Sequence, residues 1–208
     1  MNKILFIDSV TTGMSPERCA IYRIGGIFAV DGVEVKRFEI RMRHFPGADI
    51  AGRSLDICEE SRATLARYPS QEEGFRDFIA LLDEQVDRSN PRDKMYISGF
   101  NSSRFEYAFI MEWFHRCDNR HFRDYFYVQT YDLMTLTCLY AMEKRPFLPD
   151  FKLETVARIL GVSCPVEDRY DCISNARTCM DMFRVLALRW GVAELPSSPV
   201  TDNVFKNF

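Results

Sequence analysis

Apolar and polar positions alternate in two rhythms along this chain. Near the amino terminus the run Lys3-Ile-Leu-Phe-Ile-Asp8 is almost wholly apolar and is closed by Thr11-Thr-Gly-Met-Ser-Pro16. This predicts a buried strand that runs into a turn and ends on a carboxylate. Ala20 to Val30 reads as a second strand, Asp31-Gly32 as a hairpin turn, and Val33 to Arg43 as the returning third strand. In that third strand Phe38, Ile40 and Met42 alternate with Arg37, Glu39, Arg41 and Arg43, which predicts one apolar face and one charged, solvated face.

The rhythm then becomes helical. Residues 44–70 show no clean period and read as a loop with a short helix. From Gln71 to Asp87 the apolar positions Phe75, Phe78, Ile79, Leu82 and Val86 recur at helical spacing, and Ser89-Asn90-Pro91 closes the segment. Met95 to Ser98 reads as a strand before Gly99, and Ser102 to Cys117 as a mostly apolar, deeply buried helix. A strand ending near Tyr131-Asp132 feeds helices over about 133–143 and 152–160, the second stopped by Gly161. The last helix, about Asp171 to Trp190, carries Cys172, Cys179, Met182 and Leu186 on one stripe, with Arg177, Asp181 and Arg184 on the opposite side. A strand hairpin followed by strand–helix alternation predicts an α/β fold with a mixed central sheet flanked by helices. Residues 1–190 read as a single domain and 191–208, rich in Pro, Ser and Asn, as a tail.

Charge narrows the choice of partners. Twenty-seven Lys and Arg against thirty Asp and Glu leave a net charge of −3, so no global basic field draws in nucleic acid or anionic membrane, and such a partner needs a local patch. The seven cysteines are irregularly spaced with no CxxC pair, which fits reduced thiols in a cytoplasmic protein. The apolar run Ile4–Ile7 falls far short of a membrane span of roughly 20 residues.

Three positions resist a purely structural explanation. Asp8 stands at the carboxyl end of the first strand, where open α/β sheets place their ligand crevice. Glu106 lies on the stripe of Phe109, Ile110 and Trp113, so this carboxylate needs a partner. Asn175 is the strongly polar member of the apolar stripe on the last helix.

Read together, these segments resemble the DEDD 3′–5′ exonuclease family, the proofreading-subunit and ribonuclease T group with an RNase H-like fold. The family's opening motif, Asp-x-Glu-Thr-Thr-Gly-Leu, is matched by Asp8-Ser-Val10-Thr11-Thr12-Gly13-Met14, followed by the strand Tyr22 to Val30. Its second motif, His-Asn-x-x-Phe-Asp, corresponds with one extra residue to Phe100-Asn101-Ser-Ser-Arg-Phe105-Glu106. The segment Leu153 to Gly161 is similar to the one preceding the third motif, and Tyr170-Asp-Cys-Ile-Ser-Asn175 keeps the spacing of the histidine branch's His-x-x-x-x-Asp.

The resemblance implies a site at Asp8, Val10, Glu106, Tyr170 and Asn175, four of which are substituted. In the family, four carboxylates hold two divalent ions, Mg²⁺ or Mn²⁺, for an in-line phosphodiester displacement. Here Val10 replaces a glutamate, Glu106 an aspartate, Tyr170 the histidine base and Asn175 the last aspartate. Asp8 and Glu106 alone remain as carboxylates, a poor cage for a metal pair, so the ions are expected to bind weakly or not at all. A phenol holds its proton at neutral pH and does not replace an imidazole base. Asp168 and Asp171 flank Tyr170, and Asp171 also suits a helix cap. By the same resemblance Thr11, Thr12, Met14, Phe100 and Asn101 line a pocket for a terminal nucleotide, although turn formation and packing would explain them too.

The resemblance therefore implies a degenerate exonuclease-like domain, with hydrolysis lost or strongly impaired, that acts by binding a nucleic-acid 3′ end or a protein partner. Two alternatives stay open: an active exonuclease with a recruited carboxylate such as Asp171, and a scaffolding subunit whose tail, ending Val204-Phe-Lys-Asn-Phe208, docks to a partner.

Overall fold

The apolar run at the amino terminus becomes the middle of the sheet. In the computed structural model of the chain, which describes residues 2–52, 61–165 and 170–192, β1 (Lys3–Thr11) pairs antiparallel with β2 (Ile21–Val30), which pairs antiparallel with β3 (Val33–Arg41). On its other side β1 pairs parallel with β4 (Met95–Gly99), and β4 pairs parallel with β5 (Phe126–Asp132). The order is β3-β2-β1-β4-β5, a mixed sheet as expected.

Seven α-helices are given by the described residues. They are α1 (Arg62–Leu65), α2 (Gln71–Gln85), α3 (Glu106–Arg116), α4 (Phe122–Tyr125), α5 (Leu133–Tyr140), α6 (Leu153–Leu160) and α7 (Cys172–Arg189). Because side chains of a strand alternate, β1 feeds two cores. Leu5 and Ile7 pack with Phe75, Phe78 and Leu82 of α2 and Phe109, Ile110 and Trp113 of α3. Ile4 and Phe6 join Leu133 of α5, Val156 and Leu160 of α6, and Met182 and Leu186 of α7. A strand covered on both faces reads as a continuous apolar run, which is why Ile4–Ile7 lacks alternation. No helix among the described residues is long and apolar enough to cross a membrane.

Local signals set the boundaries. Asp31 and Gly32 both take positive φ, 49° and 80°, as a two-residue hairpin turn demands. Ser70 caps α2 by accepting from the Glu73 amide while the Glu73 carboxylate accepts from Ser70 N at 2.7 Å.

Two element boundaries differ from the sequence pattern. Strand β1 does not end on Asp8; it continues to Thr11 because Ser9, Val10 and Thr11 still pair with β2. On the β4 side, however, pairing stops at Phe6–Ser98, so Asp8 lies beyond the parallel ladder. Helix α3 begins at Glu106, four residues later than the pattern suggests, because Asn101 adopts φ 68° and the next residues turn. Asp181 and Arg184 lie opposite the apolar stripe of α7, as read, but that side is covered as well. The helix packs on β2 and β3, and there Arg184 pairs with Asp181 at 3.0 Å, with side-chain exposures of 13% and 12%, and donates to the Gly32 carbonyl at the hairpin tip. Most of the proposed tail, residues 193–208, lies outside the described residues.

Candidate active site

The site assembles where β1 outruns β4. Asp8 faces Gly25 across the β1–β2 ladder. A Cβ at position 25 would stand 2.8 Å from Cys172 Cβ, so the glycine is what lets the first turn of α7 come down onto β2 beside Asp8. Asp171 caps that turn, its Oδ1 accepting from Ser174 N at 2.6 Å. One turn on, Asn175 reaches back and donates from Nδ2 to Asp8 Oδ2 at 3.1 Å.

Burial pushes the Asp8 carboxyl up to about 6, with hydrogen bonds from Asn175, the Cys172 thiol and the Ser9 amide pulling the other way and the Asp171 charge adding to the rise. Glu106, the first residue of α3, is 3% exposed. Its Oε1 accepts from Ser9 Oγ at 3.3 Å, while Oε2 has no hydrogen-bond partner among the described residues. Burial, then the nearby Asp8 charge, holds its carboxyl well above the ordinary carboxylate range. The sequence argument that Glu106 needs a partner thus meets a carboxylate with one oxygen bonded and one not.

A third carboxylate, not singled out by the sequence, positions this end of the sheet. Asp132, buried at the end of β5, accepts from Asn101 N, Ser103 N and Ser103 Oγ, and caps α5 through Met134 N at 2.9 Å and Thr135 N at 3.3 Å. It fixes the turn that delivers Glu106. An Asp between an apolar strand and a helix is an N-cap signal that could have found it.

A cleft of about 380 Å³ opens beside Asp8, lined by that residue, Phe100, Tyr170 and Asn175 together with Lys152, Leu153, Glu154 and Cys164. Four sequence-nominated positions are therefore brought together, and Lys152, Glu154 and Cys164 are added by the fold. Tyr170 is 41% exposed, and its carbonyl accepts from Arg23 of β2 at 3.0 Å. Other nominated residues are placed apart from that lining. Val10 is half-buried against Tyr22 and Leu65. Thr11 Oγ1 donates to the Gly13 carbonyl, and Thr12 Oγ1 donates to the Asp49 carbonyl while accepting from Ala20 N, so both hydroxyls brace the turn after β1. Met14 is 79% exposed. Asn101 is anchored by its backbone N–H, which donates to Asp132. Asp168 lies outside the described residues.

A pair of divalent ions asks for several oxygen ligands around each ion and for strong charge compensation. This donor set does not fit one. An amide N–H points at Asp8 where a ligand oxygen is needed, and Val10 supplies an apolar side chain. Asp171 has an oxygen committed to its helix cap. Among the described residues no group of three or more His, Cys, Asp or Glu is arranged to hold a metal ion.

No protein-family model and no curated protein matches the sequence. Solved structures do. E. coli exonuclease I in complex with a dT13 oligonucleotide superposes on 92% of this chain with a TM-score of 0.73 at 16% identity, over 42% of its own length. The zinc-bound form of E. coli exonuclease I with single-stranded DNA matches 99% of the chain with a TM-score of 0.73 at 14% identity, over 43% of its length. An apo exonuclease I gives 0.72 over 99% of the chain, at 14% identity and 45% of its length. The chain spans less than half the length of these proteins. At such identities the likeness establishes architecture, and the chain has the RNase H-like fold seen in exonuclease I.

Proposed function

We propose that this domain is a degenerate DEDD-type exonuclease-like module that binds the 3′ end of a single-stranded nucleic acid without hydrolysing it by the two-metal route. The observation that carries the reading is the Asn175 amide on Asp8. Two-metal hydrolysis needs a carboxylate at each of those two positions facing an ion, which activates the attacking water and stabilises the leaving oxygen. With a hydrogen-bond donor at 175, an alkyl group at 10 and a phenol at 170, neither the metal cage nor the base is assembled. Mg²⁺ or Mn²⁺, expected of the family, then has no required role.

The cleft supports binding. Phe100 offers a ring for stacking a terminal base, Lys152 a cation at the rim, and Tyr170 an exposed hydroxyl. Thr11, Thr12, Met14 and Asn101 are assigned a secondary part, shaping the loops on either side of it. The exonuclease I structures that share the fold hold single-stranded oligonucleotides, which makes single strands the first ligand to try.

The test is anisotropy of a 3′-labelled oligonucleotide at low salt, in EDTA and in Mn²⁺, with the strand run on a denaturing gel afterwards. Binding of equal strength in both buffers with an intact strand is the expected result. Shortening in Mn²⁺ that Asp8→Ala abolishes would overturn the reading in favour of an active nuclease, and no binding at low salt would turn the search to a protein partner.

A further inference from the structure

We infer that the Asn175 amide closes a single-ion site whose frame is otherwise in place. This rests on the reading above, that the wild-type chain holds no catalytic metal pair, and asks what keeps the ion out.

Position 175 presents a donor to Asp8, where an ion would require an acceptor. Asn175 Nδ2 stands 3.1 Å from Asp8 Oδ2. In an octahedral shell with ligand bonds of about 2.1 Å, adjacent oxygens stand about 3.0 Å apart, which follows from the right angle between them. That separation, ordinary for a hydrogen bond, is also one that two oxygens sharing an ion can take, so position 175 lies within reach of an ion held by Asp8. What differs is the sign of the amide: it presents hydrogen to Asp8, and that bond must break before an ion can enter. The amide hydrogen does for Asp8 what a cation would do.

Three further features complete the frame. Glu106 is 3% exposed, its Oε1 held by Ser9, the residue after Asp8, and its Oε2 unpartnered among the described residues, so an unused acceptor lies buried at this end of β1. The cleft beside Asp8 and Asn175, about 380 Å³, has room for the waters that a hard divalent ion keeps. Backbone position is fixed from both sides, by the close approach of Gly25 to Cys172 and by the Asp171 cap, so exchanging an amide for an isosteric carboxylate asks for no movement of α7.

The experiment uses the full chain and Mn²⁺ alone as the probe, with calorimetric titration and thermal melting in EDTA and in Mn²⁺ on the wild type, Asn175→Asp, Asn175→Ala and Val10→Glu. Asn175→Asp is expected to bind one Mn²⁺ more tightly than Asn175→Ala by on the order of tenfold or more. Without metal it melts below the wild type, because two carboxylates then face each other, and Mn²⁺ restores the melting temperature. Val10→Glu adds a carboxylate but leaves the amide in place, and gains nothing. If Asn175→Asp fails to fold in EDTA, refolding on addition of Mn²⁺ supports the inference and failure to refold overturns it. Binding by Asn175→Asp no tighter than by Asn175→Ala, or a gain in Val10→Glu, also overturns it. Two-site Mn²⁺ binding with cleavage by the wild type is a different result and strikes the proposed function instead.

Discussion

The side chain of Asn175 donates to that of Asp8 at 3.1 Å, across 167 residues of sequence. It joins the first turn of the last helix to the central strand at the point where β4 has ended. The consequences of that junction can be measured separately.

Acidity comes first. Burial raises Asp8 from 3.8 to about 6 and Glu106 well above 4.5. The folded chain therefore keeps protons that the unfolded chain releases near pH ~4. Wherever the folded state binds more protons, stability falls as pH rises, so this contribution is full below pH ~4 and is lost as pH climbs through about 6 and above. Glu106→Gln, which keeps the shape without the charge, is expected to flatten the melting temperature against pH between 5 and 8 and to equal or exceed the wild type at pH 8. A steeper profile in the variant would show that Glu106 is charged in the folded state.

Gly25 is expected to tolerate no side chain. A methyl group there meets Cys172 Cβ at 2.8 Å and the Phe38 carbonyl at 3.4 Å. Gly25→Ala should cost about 1–3 kcal/mol in chemical denaturation, as overpacking does. Adding Cys172→Gly should recover part of that loss beyond additivity, since it removes the atom that is struck. Strict additivity of the two would place the strain elsewhere.

Asp132 ties the 101–103 turn to the start of α5 through five donors. Asp132→Ala strands buried amides as well as losing a cap, and is expected to cost about 3 kcal/mol or more. Hydrogen exchange should then speed up at Ser103 and at Met134 together. Faster exchange at one and not the other would mean that the carboxylate serves a single segment.

Phe100 is the stacking candidate in the cleft. If a terminal base lies on its ring, Phe100→Ala should weaken single-strand binding by about 1–3 kcal/mol while leaving the salt dependence unchanged. Loss of salt dependence with affinity retained would assign the contact to phosphate instead, with Lys152 the residue to test next.

Much of the architecture was legible because it follows from period and punctuation. The apolar run at Ile4–Ile7, the hairpin at Asp31-Gly32 and the helical spacing of Phe75, Phe78 and Leu82 each appear in the structure as read. The errors fall where distant segments decide. The start of α3 moved to Glu106 because a carboxylate from β5 holds the preceding turn. Opposite the apolar stripe of α7, Asp181 and Arg184 are covered because the β2–β3 hairpin reaches across to the helix, which no local pattern announces.

Strand and helix rhythm, and the standing of Asp8, Glu106 and Asn175 as polar residues out of place, are readable from the chain alone, because local periodicity and burial cost are written in neighbouring residues. That Asn175 lies on Asp8, that Glu106 keeps a buried oxygen without a partner among the described residues, and that Lys152, Glu154 and Cys164 join the cleft emerges with the folded chain. Those relationships depend on the close approach of α7 to β1 and β2, allowed by a missing side chain at Gly25, and no short-range pattern encodes the distance between elements that meet only on folding.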